Sequence, residues 1–155
     1  MENLYGLIDA ARDERLYDWI AAEPDHACLF AGELDPELRR AAPHIVRLAP
    51  GSDFLARWHA DGRGRSWGIQ CLSARPLAEV RRHFRHFLQA RLPSGQTILF
   101  RFYDPRVWRI YLPTCTAEEL ARWFSGIAEY RAEAEDEAGL IGYRLRGGAL
   151  QTDRL

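Results

Sequence analysis

Lysine is missing from the chain: all 21 basic side chains among its 155 residues are arginine. The planar, weakly hydrated guanidinium suits ion pairs and interfaces, although an arginine-rich genome would produce the same bias. No apolar run approaches the roughly 20 residues that a membrane helix needs. The opening MENLYGLIDAARDE carries acids where a secretory signal would carry basic residues ahead of an apolar stretch. These absences point to a cytoplasmic protein. Cysteine is scarce and odd in number. Cys28, Cys71 and Cys115 lie far apart, with no C-x-x-C pair for a zinc or redox site, and read as reduced, buried thiols. No internal repeat is present.

Aromatic residues are plentiful, with five Trp, six Tyr and seven Phe, and the length suits one domain with one sizeable core. The net charge of −1 conceals a strong asymmetry. From Arg57 to Arg109 eleven arginines face only Asp61, Glu79 and Asp104, net +8, whereas Met1 to Glu37 holds ten acids against Arg12 and Arg15, net −8. The two regions should carry opposite fields.

Periodicity predicts alternating strands and helices. NLYGLIDAA reads as a strand, DERLYDWIAAE as a helix with Leu16, Trp19 and Ile20 on one face, HACLFAG as a strand, and ELDPELRR as a turn into a short helix. PHIVRLAPGS is a third strand, and Ser52 or Asp53 caps DFLARWHA. SWGIQCLS alternates, with Trp67, Ile69 and Cys71 expected on one side. RPLAEVRRHFRHFLQARL places Leu77, Val80, Phe84, Phe87 and Leu88 on one helical stripe. In TILFRFYD, Ile98, Phe100 and Phe102 face one way and Leu99, Arg101 and Tyr103 the other, before Asp104 and Pro105 open the helix PRVWRIYL. Thr116 and Glu119 stand at capping-box spacing ahead of Leu120, Trp123, Phe124 and Ile127. The expected fold class is α/β, a single domain with a mixed β-sheet flanked by helices, over residues 1–130. Residues 131–155, acidic and then Gly- and Arg-bearing, read as a last strand and a mobile tail.

Catalytic constellations fail one by one. GRSWG matches G-x-S-x-G around Ser66, but the elbow needs a strand before the serine, a helix after it and a later histidine, and none follows His86. His83 and His86, with Cys71 or Asp104 as a third ligand, sit in a cationic flank that repels a metal ion. Arg81, Arg82 and Arg85, joined by Arg75 and Arg91, make a nucleic-acid surface on the helix over 75–91 the alternative reading. The neutral overall balance argues against that alternative, and no nucleic acid, membrane, metal or cofactor is expected. Arg101, Tyr103 and Arg106 cluster at a strand end, and Arg and Tyr dominate interface hot spots.

The blocks LYGLIDAA, LFAGELDPELRRAAPHIVRL, RSWGIQCLS and LAEVRRHFRHFLQARLPSGQTILFRFYDPRVWRIYLPTCTAEELARWF occur in this order. Over roughly residues 4 to 130 the chain resembles the effector chaperones, or adaptors, of the bacterial type VI secretion system, most distinctively in FRFYDPRV and YLPT. The resemblance implies a non-enzymatic α/β protein that binds a toxic effector in the producing cell and helps mount it on the VgrG spike tip. Its motif falls on Arg101, Phe102, Tyr103, Asp104, Pro105 and Arg106, with Trp67 and Tyr111 behind them. Phe102 and Trp67 are expected in the core. Arg101, Tyr103, Asp104, Arg106, Tyr111, Arg81 and Arg85 are the partner-binding candidates.

Overall fold

The computed structural model describes residues 1–136 and 139–155; Glu137, part of the acidic run from Glu133, and Ala138 lie outside the described residues. The strands are β1 (Asn3–Asp9), β2 (His26–Cys28), β3 (Pro43–Arg47), β4 (Gly68–Ser73), β5 (Gln89–Arg91), β6 (Thr97–Leu99), β7 (Glu129–Glu133), β8 (Leu140–Arg146) and β9 (Ala149–Arg154). The helices are α1 (Leu16–Ala21), α2 (Pro36–Ala41), α3 (Asp53–Asp61), α4 (Leu77–Arg85), α5 (Pro105–Tyr111) and α6 (Ala117–Trp123). Seven strands form one sheet in the order β2-β3-β1-β4-β7-β8-β9, and β5 and β6 pair separately as a hairpin. The α/β class holds, and every pairing is antiparallel where a mixed sheet was expected. The connections explain this: β3 and β4 both flank β1 and both run against it, so no crossover places two neighbours in the same direction.

Local chemistry starts four of the helices. Asp35, Ser52, Asp104 and Thr116 each accept a backbone N–H of the first turn, from Glu37, Leu55, Arg106 and Glu119. Pro36 and Pro105 occupy first-turn positions that need no donor. Thr116 and Glu119 close a full capping box.

Alternation along the central strands divides the core between two faces. Tyr5, Leu7, Ile45, Ile69 and Cys71 pack with Val80 and Phe84 of α4, Trp108 of α5 and Leu120 and Trp123 of α6. Ile8 and Val46 face the other way, onto Leu16 and Ile20 of α1 and Phe54 and Trp58 of α3. Two glycines permit this close layering. A Cβ on Gly6 would lie 2.8 Å from the Trp58 ring, and one on Gly68 would fall on the Leu7 carbonyl oxygen.

Four expectations are corrected. Trp67 does not share the face of Ile69 and Cys71: it packs with Trp19, ring centroids 6.0 Å apart, in the α1 and α3 layer. Ser66 just before it has φ of 55°, a left-handed turn that breaks the alternation ahead of Gly68. The helical stripe stops at Arg85 rather than running through Leu88, because Gln89–Arg91 pairs with Thr97–Leu99 around a turn closed by Gly95, φ 88°. The strand TILFRFYD ends at Leu99. Phe102 and Tyr103 are both buried because they are the middle residues of a turn in which Asp104 N–H donates to the Arg101 carbonyl at 3.1 Å. In place of one strand and a tail, the C-terminal residues form β7, β8 and β9, paired in succession.

Candidate partner-binding surface

The end of β1 and the start of α5 bring together the charged residues of the FRFYDPR block. Asp9, its side chain 5% exposed, accepts the Ala11 N–H at 3.1 Å and lies 3.8 Å from the Arg101 guanidinium. Burial pushes its carboxyl above the ordinary value; the Ala11 N–H, Arg101 and Arg12 pull it down, and Asp104 adds to the rise. Asp104 caps α5 and also receives Arg106 Nε at 3.0 Å and Nη2 at 2.7 Å. Burial works against its charge, and the bonds from the Arg106 side chain and backbone outweigh that, leaving its pKa lowered.

Around these carboxylates the block divides into an inside and an outside. Phe102, Tyr103, Asp104 and Pro105 are buried. Phe102 stacks on Phe84 with centroids 5.6 Å apart, and burial, helped by Asp9, pushes the Tyr103 phenol up to about 12. Tyr103 is therefore a core residue rather than a contact. Arg101 and Arg106 keep 59% and 54% of their side chains exposed. Next to them α5 offers an apolar ledge: Arg106, Val107, Ile110, Tyr111 and Thr114 line an open cleft of about 590 Å³, and Ile110 is 75% exposed. Ile110 escaped the sequence reading because an isoleucine in a helical stretch signals core, and only the tertiary placement of α5 turns it outward.

The remaining candidates separate. Tyr111 is half-buried, its hydroxyl accepting Trp123 Nε1–H at 3.3 Å, and burial pushes its phenol up to about 12. Arg81 has a structural role: its Nε donates to the Cys28 carbonyl at 2.6 Å, tying α4 to the end of β2. Arg85 is exposed on α4. Among the described residues no hydrogen bond or ion pair joins Arg81 or Arg85 to the Arg101 and Arg106 cluster. His83 is held neutral, its pKa lowered to about 4 by burial, with its ring nitrogen 3.1 Å from the Trp123 carbonyl. Among the described residues no group of three His, Cys, Asp or Glu side chains converges to hold a metal ion, and no helix is long and apolar enough to cross a membrane. Ser66 follows α3 and precedes β4, the reverse of a nucleophile elbow.

A family model described as a domain of unknown function, DUF4123, matches residues 4–122. The chain belongs to the DUF4123 family. No curated protein and no solved structure matches it. The DUF4123 match spans both core layers and the whole FRFYDPR surface, and it ends ahead of β7, β8 and β9. Those strands extend the same sheet, β7 pairing directly with β4 of the matched region.

Proposed function

We propose that the chain is a non-catalytic adaptor of the type VI secretion system, binding a toxic effector in the cytoplasm of the producing cell and helping to load it on the tip of a VgrG spike. The DUF4123 family is associated with such adaptors, and FRFYDPRV, the most distinctive block of the resemblance, builds the α5 surface. The division of the FRFYDPR block supports the reading. Its inner residues anchor a turn in the core while Arg101 and Arg106 stand out beside the bare side chain of Ile110. Exposed arginine next to an uncovered apolar ledge on a rigid base has the composition of an interface centre.

The test is recovery of the tagged chain from lysate of its own cell, with mass spectrometry of what accompanies it. A VgrG-type spike protein and one large toxin-like protein are expected, and both should be lost with Arg101→Ala and Ile110→Asp while the thermal midpoint stays within a few degrees. Recovery of nucleic acid alone, or partners retained by both variants, would overturn the proposal.

A further inference from the structure

A second cleft, of about 550 Å³, opens between the end of α4, the β5–β6 hairpin and α6. Its floor is aromatic. Phe87 stacks on Trp123 with ring centroids 3.7 Å apart, and Phe100 meets Tyr111 edge-on at 4.7 Å. The hairpin beside it leaves Leu92, Ile98 and Leu99 each more than a third exposed, on a two-stranded element with no core of its own.

Arginine outnumbers acid around this cleft. Arg122 and His86 line it, Arg82 lies one helical turn before His86, and Arg85 and Arg91 adjoin the lining residues His86 and Ala90 in the chain. Arg82, Arg85, Arg91 and Arg122 are exposed, and none forms an ion pair with a described residue. The one acid lining the cleft, Glu119, is engaged by the Thr116 backbone N–H at 2.9 Å.

The chain's own acidic region does not supply the missing partner. Asp9, Asp13, Asp18 and Asp25 already face Arg101, Arg15, Arg40 and Arg47. Glu23 accepts the Phe54 N–H and Asp35 caps α2. Four of the ten N-terminal acids are thus ion-paired at home, in this chain as in a second copy. The arginines of the cleft are not.

We propose that this cleft binds a segment of another protein in which large apolar side chains alternate with Asp and Glu. The apolar side chains seat on Phe87, Phe100 and Tyr111 and against Ile98 and Leu99, and the carboxylates meet Arg82, Arg85, Arg91 and Arg122. The apolar floor supplies affinity, and the arginine rim sets register and speeds encounter. The proposal rests on the adaptor reading only for the identity of that protein, as secretion cargo or spike.

Random linear peptides displayed on phage are selected on the folded whole chain, and the enriched peptides are synthesised and titrated. Enrichment of sequences combining large apolar residues with Asp or Glu is expected. Their affinity should fall about tenfold or more in Arg91→Glu/Arg122→Glu, and in Leu99→Asp, with unchanged circular dichroism. It should also weaken with added salt. Basic or uncharged winners, winners indifferent to the charge reversal, or no winners would overturn the proposal. So would a dimer that the reversal separates in sedimentation, or a labelled single-stranded oligonucleotide that these arginines bind in preference to any peptide. Loss of secretion partners in the lysate experiment leaves this peptide result untouched, so the two proposals fail separately.

Discussion

Asp104 gives the sharpest check on the geometry of the α5 surface. Replacement by Ala removes the acceptor for the Arg106 N–H and the carboxylate that receives two bonds from its guanidinium. Loss of an N-cap costs about 1 kcal/mol. The Arg106 pair adds no more than about 0.5 kcal/mol, because the guanidinium is more than half exposed and screened by water. Relief of Asp104 repulsion on buried Asp9 offsets part of the loss. The net is about 1 kcal/mol, or about 2–4 °C in thermal midpoint for a chain of this size. Asp104→Asn keeps the cap oxygen and should lose about half as much. Because the folded-state pKa of Asp104 is lowered, its contribution is fully present above the unfolded value near 3.9 and is lost as pH falls through the folded value. The gap between wild type and Asp104→Ala in urea melts should therefore stay level from neutral pH to about pH 4 and close below it. An Ala variant as stable as wild type refutes the cap. Equal losses from Ala and Asn would move the effect from the cap to the charge facing Arg106.

Gly68→Ala should cost more than about 3 kcal/mol or prevent folding, since the added methyl runs into the Leu7 backbone across the β1–β4 pairing; an unchanged urea midpoint would show the register to be wrong. Glu129, whose carboxylate is 1% exposed between Arg131 and Arg144, should lose about 1–3 kcal/mol on replacement by Gln, read by thermal melting. Cys71 is fully buried and its thiol is raised by burial, so iodoacetamide should label it only after denaturation, whereas half-buried Cys115 reacts in the folded chain. Peptide mapping by mass spectrometry reads both.

Helix starts were legible because a cap is a matter of a few adjacent residues: Ser52, Asp104 and Thr116 stand where the spacing put them, and ELDPELRR turns into α2 as expected. Distant pairing was not. Leu88 fits the α4 stripe, and it still reaches the core, but the backbone beneath it leaves the helix because Gln89 pairs with Leu99. The last strands were hidden by their acids. Glu129 looks solvated in the sequence and is instead buried, matched by Arg144 arriving on a different strand. In the candidate surface the residue types were readable and their directions were not. Tyr103 and Arg101 are two residues apart on a nominal strand, and a turn sends one inward and leaves the other out. Arg81 sits among exposed arginines in the sequence, yet two backbone carbonyls hold it.

The chain leaves the sheet after β4 and returns on its immediate neighbour β7, with Leu72 opposite Glu129. Everything between, from α4 through the hairpin to α6, is a single excursion whose two ends are one strand spacing apart. That excursion also contributes Val80, Phe84, Phe102, Trp108 and Trp123 to the core. It cannot be traded between relatives as a free module, since each exchange would have to refill the interior with rings of matching shape. Change is thereby channelled into the outward sides of its helices and hairpin, at positions such as Arg85, Arg91 and Ile110, where a new side chain alters the surface and leaves the interior alone.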